Sequence, residues 1–189
     1  MRCSGKLRVM DVAERWTSTV VLGDGSSAVI RPITPDDAPA LAAFHLRQSP
    51  ESRYFRFFSP KPELNEGELE RFTTVDFVDR VAFVVEERDE FIGWASYERW
   101  NNRDDAEVAF MVDDQHHGKG IATLMLEHLA AVARANGIER FTAQTLGDNR
   151  RMLSVFAKAG WPVHRRFDSG VIDVDFPLAD TSSFIDSVE

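Results

Sequence analysis

Between residues 80 and 146 the hydrophobic pattern changes period, and the change predicts an architecture. "RVAFVVEE" (80–87), "FIGWASYERW" (91–100) and "DAEVAFMVDD" (105–114) are runs rich in β-branched and aromatic residues. The polar turns Arg88-Asp89-Glu90 and Asn101-Asn102-Arg103 join them, which predicts three antiparallel strands. Apolar residues then recur at helical spacing at Ile121, Leu124, Met125, Leu129 and Val132, and Gly137 supplies a C-terminal stop. "IERFTAQTL" (138–146) returns to strand character. A helix joining strands 105–113 and 138–146 makes a βαβ crossover, whose strands should be parallel.

The flanking segments fill in the rest. "TSTVVLGDGSSAVIRPI" (17–33) reads as a hairpin turning at Gly23-Asp24-Gly25-Ser26. Thr34 caps a helix with Pro35 at its first position and Asp36 and Asp37 in its first turn, ending before Ser49-Pro50. Residues 50–58 and 65–75 predict two short helices. The aromatics Tyr54, Phe55, Phe57 and Phe58 suit either core packing or a substrate groove. Residues 148–160 predict a helix opened by Asp148 or Asn149 and stopped at Gly160, and 161–168 and 170–178 predict two closing strands. The sum is an α/β (α+β) domain with a mixed sheet over residues 16–178, preceded by a flexible leader at 1–15 and followed by a polar tail at 179–189.

Composition narrows the class. A chain of 189 residues supports one well-formed core, and 43% hydrophobic with 28% charged residues is globular. Lys plus Arg is 22 against 31 Asp plus Glu, a net charge of −9. That balance argues against nucleic acid and anionic membrane as partners and suits a basic one, such as an amine or a lysine side chain. The single cysteine, Cys3, forms no internal disulfide, and the cytoplasm is the expected compartment. No apolar run reaches the length of a membrane span, and the N-terminal residues lack the apolar core of a signal peptide. His45, His128 and His164 are scattered, and the adjacent His116 and His117 point apart, so no metal site is expected.

The chemistry sits in "DDQHHGKGIATLML" (113–126), where a strand runs through glycines into a helix. A helix N-terminus offers unpaired N–H groups and partial positive charge, and glycine lets a phosphate approach the backbone. The segment does not match the P-loop pattern G-x-x-x-x-G-K-[ST], and Thr123 stands where the dinucleotide fingerprint needs Gly or Ala. What remains is Q-x-x-G-x-G, from Gln115 to Gly120. It resembles the pyrophosphate signature of the GNAT superfamily of N-acetyltransferases. "GDNRRMLSVFAKAGW" (147–161) resembles that family's second coenzyme A motif, with anchors at Asn149, Phe156, Lys158, Gly160 and Trp161.

The resemblance implies the GNAT fold, a mostly antiparallel sheet with a central parallel crossover and helices on both faces, and acetyl-CoA as acyl donor. It implies main-chain contacts from Phe110, Met111 and Val112. It places Gln115, His116, His117, Gly118, Lys119, Gly120, Ile121, Ala122 and Thr123 around the diphosphate, with Lys119 adding charge at its rim. Asn149 is assigned to the pantetheine arm, Phe156 and Lys158 to the thiol and adenosine ends, and Met152 to the same site. Arg150 and Arg151 suit CoA's phosphates, the acidic part of a partner, or simply a solvated helix start. Glu107 falls where lysine acetyltransferases of this kind carry their general base, although a strand-end Glu is also an ordinary surface residue. Phe156 departs from the many relatives that carry a proton-donating Tyr there.

"TVVLGDGSSAVIRPITPDD", "SPESRYFRFF" and "AEVAFMVDDQHHGKG" further resemble bacterial protein lysine acetyltransferases whose GNAT domain is joined to an acyl-CoA synthetase (ADP-forming)-like domain. That branch implies an AMP-forming acyl-CoA synthetase as protein substrate, and residues 179–189 as the start of a linker to a further domain. Two other readings stand beside it: acetylation of a small amine, and a non-catalytic acetyl-CoA sensor.

Overall fold

The structure, a computed structural model, describes Val12, residues 14–100 and residues 103–178. The expected leader lies almost wholly outside the described residues, and the tail at 179–189 lies entirely outside them. Among the described residues eight strands form one sheet: β1 (Ser18–Val21), β2 (Ser27–Pro32), β3 (Arg80–Glu87), β4 (Glu90–Arg99), β5 (Asp105–Val112), β6 (Arg140–Leu146), β7 (His164–Asp168) and β8 (Val171–Pro177). Their order is β1-β2-β3-β4-β5-β6-β8-β7, and every pair is antiparallel except β5–β6. The edge strand β7 is exposed throughout and carries His164, Arg165 and Arg166, charges that discourage a further strand from adding there.

The helices are α1 (Ala38–Arg47), α2 (Pro50–Phe57), α3 (Glu66–Thr73), α4 (Ile121–Ala135) and α5 (Arg150–Lys158). Several boundaries differ from expectation, such as the closing strand expected from 161, which begins at His164. The helix anticipated from Pro35 begins as a 3-10 turn, Pro35–Asp37, and α1 starts at Ala38. The Asp37 carboxylate accepts from Thr34 N at 2.7 Å and from Arg31 Nη1 and Nη2 at 2.8 Å each, which pins the tighter turn.

Strand β3 explains why helices cover both faces. Val81, Phe83 and Val85 point into a core that α4 closes with Ile121, Met125, Leu126 and Leu129. Ala82 and Val84 point the other way, into a second core closed by Leu41 and Phe44 of α1 and by Leu69 and Phe72 of α3. A strand buried on both sides reads as a continuous apolar run, as this one does.

The parallel pair is short. β5 and β6 pair only from Asp105↔Arg140 to Glu107↔Thr142, yet β5 runs on to Val112 and β6 to Leu146. Each is paired along its other edge, β5 with β4 and β6 with β8. The two strands therefore open into a cleft beyond Glu107, with unpaired main-chain groups facing it.

Candidate active site

The cleft widens into a cavity of about 550 Å³. Its floor is β5 from Glu107 to Val112, its far wall is Gln144 and Thr145 of β6, and α5 closes one side with Asn149, Met152 and Lys158. The loop after β5 and the first turn of α4 close the end. Gly118 has φ +81° and Gly120 φ +82°, a region L-residues with side chains rarely adopt, and a Cβ at either would meet nothing within 4 Å. Both glycines are thus needed for the turn and leave open space above the backbone. Ile121, Ala122 and Thr123 follow on the cavity wall as the first residues of α4, where N–H groups lack helical partners. The charged side chains on the wall are Arg56, Arg150, Arg151 and Lys158 against the single carboxylate of Glu107. A cationic cavity in a protein of net charge −9 fits a polyanionic ligand.

Most of the expected site residues meet on this wall, and three do not. Gln115 is exposed outside the cavity. Lys119 turns its ammonium to Asp24 at 2.8 Å, behind the loop. Phe156 is 1% exposed and packs against Phe110 and Phe176 at ring-centroid distances of 6.3 and 5.7 Å, so it belongs to the core. Asn149 caps α5, its Oδ1 accepting from Met152 N at 3.2 Å, so a ligand would meet its amide nitrogen.

The two adjacent histidines are structural ties. His116 Nδ1 lies 3.0 Å from Asp113 Oδ1 and its Nε2 lies 3.4 Å from Glu87 Oε2. His117 Nε2 lies 3.1 Å from Val112 O. Asp113 is 6% exposed. Burial raises its carboxyl, but His116, Gln115 N–H and Gln48 outweigh burial and hold it below the usual range. Asp114 accepts from Ser49 N and Ser52 Oγ, which fastens the start of α2 over the cavity. Among the described residues no group of three or more His, Cys, Asp or Glu could hold a metal ion.

A second cavity, about 370 Å³, lies between α3 and the sheet. Its apolar wall is Phe72, Val75, Trp94 and Trp100, and the pair Arg71–Glu98, 2.7 Å apart, also lines it. Glu107, Ala109 and Arg56 line both cavities. Pattern reading did not single out Arg56. Its guanidinium lies over the rings of Phe57 and Trp94, 5.0 and 4.8 Å from their centroids. Its Nε is enclosed without a hydrogen-bond partner among the described residues. Burial pulls its pKa down to about 10, opposed by the nearby charge of Glu107.

Residues 28–161 match the acetyltransferase (GNAT) domain family. The GNAT domain of PAT from S. lividans superposes with a TM-score of 0.82 at 45% identity, covering 86% of this chain and 97% of that one. Acetyltransferase Pat of Mycolicibacterium smegmatis is 33% identical over 160 residues, which covers 82% of this chain and 47% of that protein. An acetyltransferase of Pseudomonas aeruginosa is 28% identical over 152 residues, covering 78% of this chain and 81% of that one. The chain thus spans about half the length of the M. smegmatis relative.

Proposed function

Because the chain belongs to the GNAT acetyltransferase family, we propose that it moves the acetyl group of acetyl-CoA to the ε-amine of a lysine on a protein. An AMP-forming acyl-CoA synthetase is the proposed acceptor, and Glu107 the base. The observation that carries this reading is that Glu107 lines both cavities. The first suits the acyl donor. The second, with an aromatic and aliphatic wall and Glu68, Glu98 and Glu107 on its lining beside Arg56, Arg71 and Arg80, suits an apolar stem tipped by an amine.

The chemistry follows from that placement. A lysine has a pKa of about 10.4 and must lose a proton before it attacks. Glu107 takes that proton from the ammonium. The amine nitrogen bonds to the thioester carbonyl carbon, main-chain N–H groups along Phe110, Met111 and Val112 stabilise the oxygen, the nitrogen sheds a second proton, and the C–S bond breaks to release CoA thiolate. With Phe156 in the core, that side chain supplies no acid. Thiols have a pKa near about 8.5, so the thiolate can leave and take up, through water, the second proton that the amine nitrogen sheds. The donor-site roles of Gly118, Gly120, Ile121, Ala122, Thr123, Asn149, Met152 and Lys158 belong to the same proposal.

Residues 179–189 are proposed to lead toward a further domain, in keeping with the greater length of the M. smegmatis relative. Among the described residues no helix is long and apolar enough to cross a membrane, and a cytoplasmic site of action is proposed.

A small amine is the second reading, and the volume of the acceptor cavity, about 370 Å³, supports it, since pockets of about 300–1,000 Å³ hold small ligands. Intact-mass spectrometry separates the two. A purified AMP-forming acetyl-CoA synthetase incubated with the protein and acetyl-CoA should gain one acetyl mass, and spermidine or free lysine in its place should not be turned over. Turnover of the small amines without mass gain would transfer the assignment to them. Binding of acetyl-CoA with no acceptor modified would leave a sensor.

A further inference from the structure

The turn between β1 and β2 lies far along the chain from the glycine loop and yet holds it. Asp24 Oδ2 is 2.8 Å from Lys119 Nζ. Gly23 N donates to Lys119 O at 2.9 Å. A Cβ on Gly23 would sit 3.3 Å from that carbonyl oxygen, so the two backbones touch and leave little room for a side chain. Asp24 is itself oriented by Ser26, whose N and Oγ donate to Asp24 Oδ1 at 3.0 and 2.8 Å. Lys119, then Ser26, keep the Asp24 carboxyl well below its ordinary range. Gly118 and Gly120 line the donor cavity, and Lys119 between them does not.

We propose that Asp24 is a positioning residue for diphosphate binding: with Gly23 it anchors Lys119 from behind, so that the flanking glycines present their N–H groups to the cavity. The ammonium of Lys119 is then spent on the anchor and not on the ligand. An exposed ion pair alone contributes little. Here it acts on a segment with a glycine on each side, whose backbone has the most freedom to lose. Without the anchor, the ligand must order the loop, and that cost appears as lost affinity. The inference needs only the acyl donor and holds whichever acceptor is used.

The test is equilibrium binding of acetyl-CoA, and of acetyl-pantetheine, which lacks the diphosphate, to the wild type, Asp24→Ala, Lys119→Met and the double variant. Asp24→Ala should weaken acetyl-CoA binding by roughly fivefold to twentyfold. Lys119→Met should do the same, and the double variant should be no worse than either, because both changes break one anchor. Acetyl-pantetheine affinity should not change, which distinguishes a positioned diphosphate cradle from general damage. If Lys119 instead served the diphosphate directly, Asp24→Ala would free it, and acetyl-CoA would bind as tightly as to wild type or more so while Lys119→Met weakened it. That result overturns the proposal, as does an equal loss for acetyl-pantetheine.

Discussion

Gly93→Ala should loosen the donor site from beneath the first turn of α4. Gly93 sits on β4 opposite Val112 of β5, beneath the first turn of α4. A Cβ there would lie 2.8 Å from Ile121 Cγ2 and 3.2 Å from both Cε and Sδ of Met125. Carbon atoms pack best at about 3.5–4.0 Å, so the side chains or the helix must give way by roughly 1 Å. Ile121 is 1% exposed and Met125 0%, which leaves no open space to move into. Overpacking of this kind costs about 1–3 kcal/mol. In a domain of this size each kcal/mol lowers Tm by about 2–4 °C, so calorimetry should show a fall of about 2–12 °C. Ile121 is also the first residue of α4, so the displacement reaches the anion cradle, and acetyl-CoA affinity should fall by roughly tenfold. Ile121→Ala alone should cost about 2–5 kcal/mol. Combined with Gly93→Ala it should cost less than the sum, because the new methyl occupies part of the vacated volume. A Tm within about 1 °C of wild type, with strict additivity in the cycle, would refute the claim that this glycine seats the helix.

Three further outcomes follow from the same geometry. Burial pushes the imidazoles of His45 and His128 below their ordinary value. The unfolded chain therefore binds more protons below about pH 6.5, and stability present at neutral pH is lost as pH falls through that window. Urea midpoints should drop between pH 7.5 and 5.5, and His128→Leu should flatten the drop. Asp113 and Asp114, whose burial is outweighed by their hydrogen bonds, are also held low. Their contribution is present above the unfolded value of about 4 and lost as pH falls below it toward the lowered folded value, so urea midpoints extended below pH 4 should show a second decline. Arg56→Met removes an enclosed donor without a partner, so Tm should hold or rise while kcat/KM for the acceptor falls by roughly tenfold or more. A fall in Tm with unchanged turnover would place Arg56 among the purely structural residues.

The meander, the crossover and the glycine loop were legible because each rests on a local signal. Strand β3 reads as strand from its unbroken apolar run, and α4 from a period bounded by Gly120 and Gly137. The loop reads from glycines that only a left-handed backbone requires. Arg56 was hidden because α2 mixes charged and aromatic residues in eight positions, too few to show a period. Its place between the cavities depends on Trp94 and Glu107, which come from distant strands. Asp24 looked like an ordinary turn residue, since nothing nearby in the chain marks its contact with Lys119. Phe156 was assigned to the site by its motif, but the inward face of α5 meets Phe110 and Phe176, and burial among those rings decided its position. The early opening of β5 from β6 has no counterpart in the hydrophobic pattern of either strand.

Glu107 is proposed to remove the acceptor's proton at the junction of the two cavities it lines. Glu107→Gln is the direct probe, measured as acetyl transfer to a lysine acceptor from pH 7 to 10 beside acetyl-CoA binding. At pH 7.4 only about 0.1% of a free lysine is neutral. Losing the base should cost roughly 10²–10⁴-fold in kcat at that pH, with the gap closing as pH approaches the amine's own pKa of about 10.4 and acetyl-CoA affinity unchanged. Transfer by Glu107→Gln within about threefold of wild type at pH 7.4, under the same donor saturation, would contradict the account and remove Glu107 from the chemistry.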